Sequence, residues 1–554
     1  MEWPKRNAPT VLLGVALLAS AALIFVLCWE LTFFQDTWAF LLDRQDLSAD
    51  AFLAPHNEHI VILPVAITKL LLAVFGMTSG LPEMFAMTAT LLVAGTLLFV
   101  YVRRRVDPWV ALMAAVLLLF LGSAWPILLW PFENEFTGAV MGGLGMLLML
   151  DRNDRRGDLW ACVLLLVSIG FGSLGISFAA AALVDVFLKR RSRGWSRLYI
   201  AAIPLFFYAV WYLGWGHDAE HHMTLHNILM SPQYVFNGFA SAVGSLAGLS
   251  SVPVNSPGQP DWGRPLLIGL IGLAFFVKWR RPGLSPGFWP VAAAGLSYWL
   301  LAAFNFIPGR EAAQSRYVYA GAVFVLLIAA ELLRGVRFSP RALWVGAVLV
   351  AAMVAPNLAQ MWDGANWLKE QSVLTRAGTA ALDISSRTVD PSFGLTPEVA
   401  GTSSLFIVNA GKYGEATGSW GSPGYTPEEL AAASPVARHW ADVALGQALP
   451  LATETQLGAY DPAAAADPDC VTLAAGSETP DSELRVGPGL TTIELAPGPD
   501  ADFKLRRFAT GEYPVVTEGA PGDSVTTLRI PRDNAPQQPW YLHIEASQQA
   551  LVCR

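Results

Sequence analysis

Along the first 358 residues, apolar positions gather into runs of roughly 17 to 25, the length a helix needs to cross a bilayer. The runs predict eleven spans at 10–34, 84–102, 108–126, 135–150, 159–172, 173–189, 198–216, 264–278, 286–304, 317–334 and 341–358. Two further apolar stretches, 60–76 and 233–250, are amphipathic and are expected to lie along one membrane face. After Asn357 the pattern changes. Residues 359–390 keep a helical period, and 400–450 mix a short strand, SLFIV, with a helix around PEELAAASPVARHWADVAL. From Cys470 onward, short alternating segments (CVTLAA, LTTIELAP, FKLRRFA, SVTTLRIP, WYLHIEA, QALVC) are parted by Gly, Pro and Asp. That spacing predicts a β-sandwich of jelly-roll type.

The expected fold is therefore an all-α polytopic membrane domain over 1–358, a mixed α+β region over 359–469 and a β-sandwich over 470–554. Composition agrees: 54% of the 554 residues are hydrophobic, 14% are charged, and 20 are Trp. The run after MEWPKR is too long for a signal-peptide core and reads as a retained first helix. Charge then orients the chain. Of 24 Lys and Arg before Asn357, 19 fall in the turns on one side of the eleven spans, which makes that side cytoplasmic. The tail, with 24 acidic and 12 basic residues, then lies outside the cytoplasm. So do all eight histidines. In that compartment Cys470 and Cys553 are expected to pair, tying the first strand of the last domain to the chain terminus, whereas Cys28 and Cys162 sit in apolar runs.

Polar chemistry collects in the outer loops. The first, 35–83, holds Asp36, Asp43, Arg44, Asp46, Asp50, His56, Glu58 and His59 between bilayer-length apolar runs, where ionisable groups need a reason to sit. Asp36, expected just beyond the first helix, suits a general base. In PHNEHI, Pro55 restrains the approach of His56, Glu58 and His59, whose spacing lets at least two converge on a substrate or ion. Arg310 and Arg316, in REAAQSRYVYAG with Tyr317, suit bidentate capture of phosphate, lipid headgroups being the plainer alternative. Glu133 and Glu135 in WPFENEF add carboxylates for acceptor hydroxyls or a cation. In GHDAEHHMTLHNIL, His217, His221 and His222 have spacing that a metal ion accepts when a carboxylate joins, though without a fixed fourth partner such patterns are more often surface histidines. No cofactor is required by these residues, and a divalent cation is left open.

The first helix leading to an outer-loop Asp, the loop closing in LLLAVFG, a second span ending in basic residues and SRYVY entering a late span together resemble the GT-C superfamily of polyprenyl-phosphate-sugar-dependent membrane glycosyltransferases. The likeness covers about residues 10–358. With the β-rich outer domain, it is similar to actinobacterial cell-wall arabinosyl- and mannosyltransferases. The resemblance implies Asp36 as catalytic base and Arg316 as a lipid-phosphate ligand. Position 35 is Gln where the commoner pattern has a second acid, which leaves Asp43, Glu58 or Glu133 to supply any second carboxylate. Glu58 is the catalytic partner and Arg44, His56, His59, Glu133, Arg310 and Tyr317 the substrate-binding residues of that reading. Its partners are a polyprenyl-phosphate-linked sugar donor, a cell-envelope glycan or other acceptor outside the cytoplasm, and the bilayer; no nucleic acid is expected. The alternatives are a flippase for lipid-linked glycans, against which stands the lack of an internal repeat, and a non-catalytic membrane scaffold.

Overall fold

The computed structural model describes residues 3–219, 222–249, 262–458, 460, 467, 469–473, 484–517 and 519–553. Contacts divide the chain into a helical unit (Met1–Glu30, Asp46–Leu71, Leu81–Leu368) and a second unit (Leu31–Gln45, Leu72–Gly80, Lys369–Arg554).

Each of the eleven apolar segments holds a helix. By length and hydropathy, six stretches among the described residues suffice to cross a membrane: Asn7–Cys28, Leu81–Arg103, Pro108–Leu129, Trp195–Gly214, Ser315–Leu332 and Pro340–Ser385. The two amphipathic stretches are helical as well, as Ile62–Phe75 and within Leu225–Leu246. Short polar side chains start the helices where the sequence leaves an apolar run. Asp107 accepts from the Trp109 N–H, and Thr224 from the Asn227 N–H at 3.1 Å, satisfying donors that a helix start leaves orphaned. Small residues bring helices close. Ser168 Oγ donates to the Ala139 carbonyl at 2.7 Å, joining Arg155–Phe171 to Asn134–Leu150.

At one end of this unit the basic turns are knitted into ion pairs by two buried arginines. Arg105 meets Asp151 at 2.9 Å and also Glu331, while Arg197 meets Asp158 at 2.9 Å and Asp185 at 3.1 Å. Helix Asn134–Leu150 runs from the opposite end, and its first residues face the candidate site.

In the second unit, apolar residues near the N-terminus enter a core completed by the C-terminal part. Trp38 is fully buried, with its ring centroid 5.5 Å from Phe33 and 6.2 Å from Tyr413, and Met77 N–H donates to the Trp420 carbonyl at 2.7 Å. This changes one expectation. The first helix ends at Cys28, and Leu31–Phe34, read as its continuation, is non-helical and joins the second unit. Hydropathy reports a preference for leaving water and does not say whether lipid or protein receives the side chain. SLFIV is likewise no strand: Thr402 Oγ accepts from the Ser404 N–H at 2.9 Å and starts the 3-10 turn Ser403–Leu405.

Among the described residues nine strands follow: β1 (Ala452–Leu457), β2 (Cys470–Leu473), β3 (Leu484–Val486), β4 (Gly489–Leu495), β5 (Asp502–Arg506), β6 (Val515–Val516), β7 (Ser524–Ile530), β8 (Trp540–Glu545) and β9 (Ala550–Cys553). They form two antiparallel sheets of order β1-β7-β4-β9-β2 and β3-β8-β5-β6. With the edge strand β1 set aside, early and late strands alternate in both sheets, which is jelly-roll connectivity. Alternate residues such as Phe503, Leu505, Leu528, Ile530, Leu542 and Ile544 point into one shared core. Cys470 and Cys553 face each other across β2 and β9 and are joined by a disulfide. Helix Pro435–Ala448 is fastened to the segment after β5 by Asp442, whose buried carboxylate accepts the N–H groups of Arg507, Phe508 and Ala509 at 2.7, 3.0 and 2.9 Å.

Candidate active site

Within the helical unit, the polar run PHNEHI folds as a two-residue hairpin. His56 and His59 exchange backbone hydrogen bonds at 3.0 and 2.9 Å, and Asn57 takes the left-handed conformation (φ 49°) that asparagine tolerates better than most side chains. The preceding helix Ala49–Leu53 is held by two indoles: Trp211 Nε1 donates to the Leu53 carbonyl at 2.7 Å, and Trp215 Nε1 to Asp50 Oδ1 at 2.8 Å. The hairpin is thereby fixed between helices, with the His56 ring edge-on to Phe132 at 5.0 Å.

Across from it runs the loop before helix Ser315–Leu332. Arg310 makes an ion pair with Glu58, both side chains less than one-fifth exposed, and the Arg310 carbonyl accepts a 2.8 Å hydrogen bond from the Tyr234 hydroxyl. Gln314 bridges the loop, its amide N–H donating to the Gly309 carbonyl and its oxygen accepting from Arg316 Nε at 3.1 Å. The Arg316 guanidinium lies 5.3 Å from the Tyr317 ring centre. Glu133 and Glu135 are buried at the start of helix Asn134–Leu150.

Glu58 and His59 open onto a cavity of about 130 Å³ that Tyr208, Tyr298, Tyr317 and Ser177 also line, together with Phe136, Ser173 and Asn305. Burial brings the His59 imidazole down to about 4, against the opposing pull of the Glu58 carboxylate; His56, Arg310 and Arg316 push it the same way as burial. His59 is therefore neutral near pH 7, able to donate from one ring nitrogen and accept at the other. A second cavity of about 280 Å³ is lined among others by His226, Tyr234, Arg264 and Glu311.

No protein-family model matches this chain, and no curated protein matches it. Among solved structures it is similar to the crystal structure of ArnT from Cupriavidus metallidurans bound to undecaprenyl phosphate, with 13% identity, a TM-score of 0.44, and coverage of 74% of this chain and 88% of that one. At that level the likeness assigns neither a residue nor a substrate to this chain.

Glu58, His59 and Tyr317 thus share one cavity, with Arg310 bound to Glu58 and His56 in the same hairpin. Asp36 and Arg44 belong to the second unit. Asp36 occupies the N-cap of helix Thr37–Leu42, eight residues past the first helix. It follows Gln35, which is held in the left-handed region (φ 41°) by an N–H bond to the Ser404 carbonyl at 3.1 Å. Strain of this kind in a non-glycine residue persists where surrounding structure enforces it and is common at functional sites. Arg44 is buried 5.3 Å from the Phe40 ring centre; burial lowers its guanidinium, and Asp43 opposes this.

Of the histidine-rich run, His217 is exposed beside Asp218 at 3.3 Å, and His221 lies outside the described residues. Among the described residues no three His, Cys, Asp or Glu side chains, His222 included, are placed to hold a metal ion. Sequence reasoning did not single out Ser177, Tyr208, Tyr234, Tyr298 or Gln314. The first four sit in apolar spans or helices where one polar residue reads as a packing or interface residue, and Gln314 sits in the loop just before helix Ser315–Leu332.

Proposed function

We propose that the chain is an integral membrane glycosyltransferase that moves a sugar from a polyprenyl-phosphate donor to an acceptor outside the cytoplasm, with inversion. The observation that carries this reading is the hydroxyl-lined cavity that Glu58, His59 and Tyr317 share within a unit of apolar helices, with Arg310 paired to Glu58. An acceptor hydroxyl oxygen attacks the anomeric carbon as the bond to the phosphate oxygen breaks. The electron pair leaves on polyprenyl phosphate, and the proton passes to Asp36. Phosphate is already a good leaving group, so one base and a cation that meets the growing phosphate charge suffice. Arg316 is the cation of this scheme, with Glu58, His59, Glu133 and Tyr317 orienting the sugar. The Cys470–Cys553 disulfide supports placing the jelly roll in an oxidising compartment.

The test is transfer of radiolabelled sugar from its polyprenyl-phosphate conjugate to cell-envelope glycan by the purified chain in proteoliposomes. Asp36→Asn is expected to abolish transfer at normal expression, and Arg316→Gln to raise KM for the lipid donor. Retained transfer in Asp36→Asn sinks the base assignment. Absence of transfer by the unaltered chain across neutral, amino and acidic sugar donors sinks the reading itself.

A further inference from the structure

We infer that Gln314 is a positioning residue for the Arg316 cation: its amide fixes the plane of the guanidinium and ties it to the peptide leading into Arg310, while leaving the Arg316 charge intact for an anionic ligand. The inference rests on the transferase reading, which gives Arg316 the donor phosphate, and adds the residue through which Arg316 is held.

Position 314 is the N-cap of helix Ser315–Leu332, where Ser, Thr, Asp or Asn would accept an N–H from the first turn. Gln314 makes no such bond. Its side chain is committed elsewhere: Nε2 donates to the Gly309 carbonyl, and Oε1 accepts from Arg316 Nε at 3.1 Å. The chain turns at Gly309, whose φ of 90° glycine adopts without the penalty a Cβ brings. The Gly309 N–H donates to Glu311 Oε1 at 3.0 Å, and the Gly309 carbonyl belongs to the peptide that leads into Arg310. Arg310 is itself anchored, by its ion pair with Glu58 and by the Tyr234 hydroxyl on its carbonyl at 2.8 Å. One amide therefore links the two arginines of the loop, and one of them is already fixed.

An amide suits this task better than a carboxylate. A guanidinium is a planar fork of donors; a bond at Nε holds the plane, and the Nη1–Nη2 edge is the one that matches two phosphate oxygens. Without that bond the long side chain spreads the guanidinium over many directions, and a ligand must bear the cost of ordering it. A carboxylate at 314 would hold the plane equally well but cancel the charge. The amide oxygen accepts without carrying a net charge, so the fork stays cationic. Its place relative to the cavity agrees: the guanidinium lies 5.3 Å from the ring centre of Tyr317, which lines the cavity, and Arg316 is among the groups that push the His59 imidazole down.

The experiment measures binding of farnesyl phosphate and of farnesol to the purified full-length chain in detergent by titration calorimetry. Gln314→Met keeps the side-chain length and loses both hydrogen bonds. It is expected to bind farnesyl phosphate about three- to tenfold more weakly, the worth of one hydrogen bond, with farnesol binding unchanged. In an Arg316→Gln background the same substitution is expected to add less than a twofold loss, because Gln314 acts through Arg316. Gln314→Glu, whose carboxylate still accepts from Nε, is expected to weaken farnesyl phosphate binding at least as much as Gln314→Met, and it carries the test alone should Gln314→Met fail to fold. Parental affinity for farnesyl phosphate in either variant, an equal loss for farnesol, or a full further loss on top of Arg316→Gln overturns the inference while leaving the transferase reading standing. If farnesyl phosphate does not bind the unaltered chain, or binds Arg316→Gln as tightly as the parent, the phosphate assignment of the transferase reading fails and takes the inference with it.

Discussion

Replacing Arg310 by Gln tests the central contact of the site. The Arg310 and Glu58 side chains are 18% and 11% exposed, so their pair is largely withdrawn from water without being sealed. Removing one member of a fully buried pair costs about 3–5 kcal/mol because the survivor keeps its charge and loses its partner. The residual exposure scales this to roughly 2–4 kcal/mol for Arg310→Gln. Glu58→Gln should cost less, since the guanidinium left behind sits on a loop beside the surface. In the double variant no charge is left unpaired, and most of the loss should return. The assay is a double-mutant cycle on the purified chain in detergent, read as thermal midpoints at a fixed scan rate. Arg310→Gln should lower the midpoint by several degrees, with a coupling between the two sites of at least 1 kcal/mol in magnitude. The cycle also reaches His59: Arg310 helps to hold that imidazole down, so the variant should move its titration upward from about 4. Arg310→Gln as stable as the parent, with purely additive effects in the double variant, would refute the idea that the pair organises the site.

Three other outcomes follow from the same structure. His59 is depressed from 6.5 to about 4, so between those values the unfolded chain binds the extra proton; its contribution to stability is complete above pH 6.5 and should fade as pH drops toward 4. Substituting His59 by Gln should flatten that part of the stability profile, and an unchanged slope counts against burial of a neutral imidazole. Asp442→Ala strands three buried N–H groups and should destabilise the second unit by about 3–6 kcal/mol; Asp442→Asn should cost less, because Oδ2 alone meets all three donors and an amide oxygen can take its place. Limited proteolysis of the tail distinguishes the two. Cys470→Ser with Cys553→Ser should lower the jelly roll's stability by roughly 2–5 kcal/mol and expose β2 and β9 to protease; equal resistance with and without reductant contradicts that.

Much of this architecture could be read from the residues. Helices follow from runs too long and too apolar to be anything else, and β8 follows from the strict alternation of WYLHIE. β1 escaped notice because ATETQL has few apolar positions and gains its place by pairing with β7 along a sheet edge. β3 and β6, at three and two residues, are too short to show a period. Phe33 and Phe34 looked like membrane residues, since hydropathy alone cannot distinguish lipid from a protein core. Of the site, PHNEHI and the two arginines stood out as charge in apolar surroundings. Ser177 and Tyr298 did not, because their meaning comes from neighbours more than a hundred residues away in the chain.

The placement of Leu31–Gln45 in the second unit also imposes a timetable. Gln35 hydrogen-bonds Ser403 across 368 residues, and Trp38 packs on Tyr413. At roughly 5–20 residues per second, a ribosome needs about 20–70 s to deliver that partner. Throughout that interval Trp38, Leu41 and Leu42 have nowhere native to go. The nascent chain must shelter this segment while the helices between are made, and a gene truncated before residue 400 would leave it permanently exposed. Quality control at the membrane would then see an N-terminal defect whose cause lies at the other end of the message.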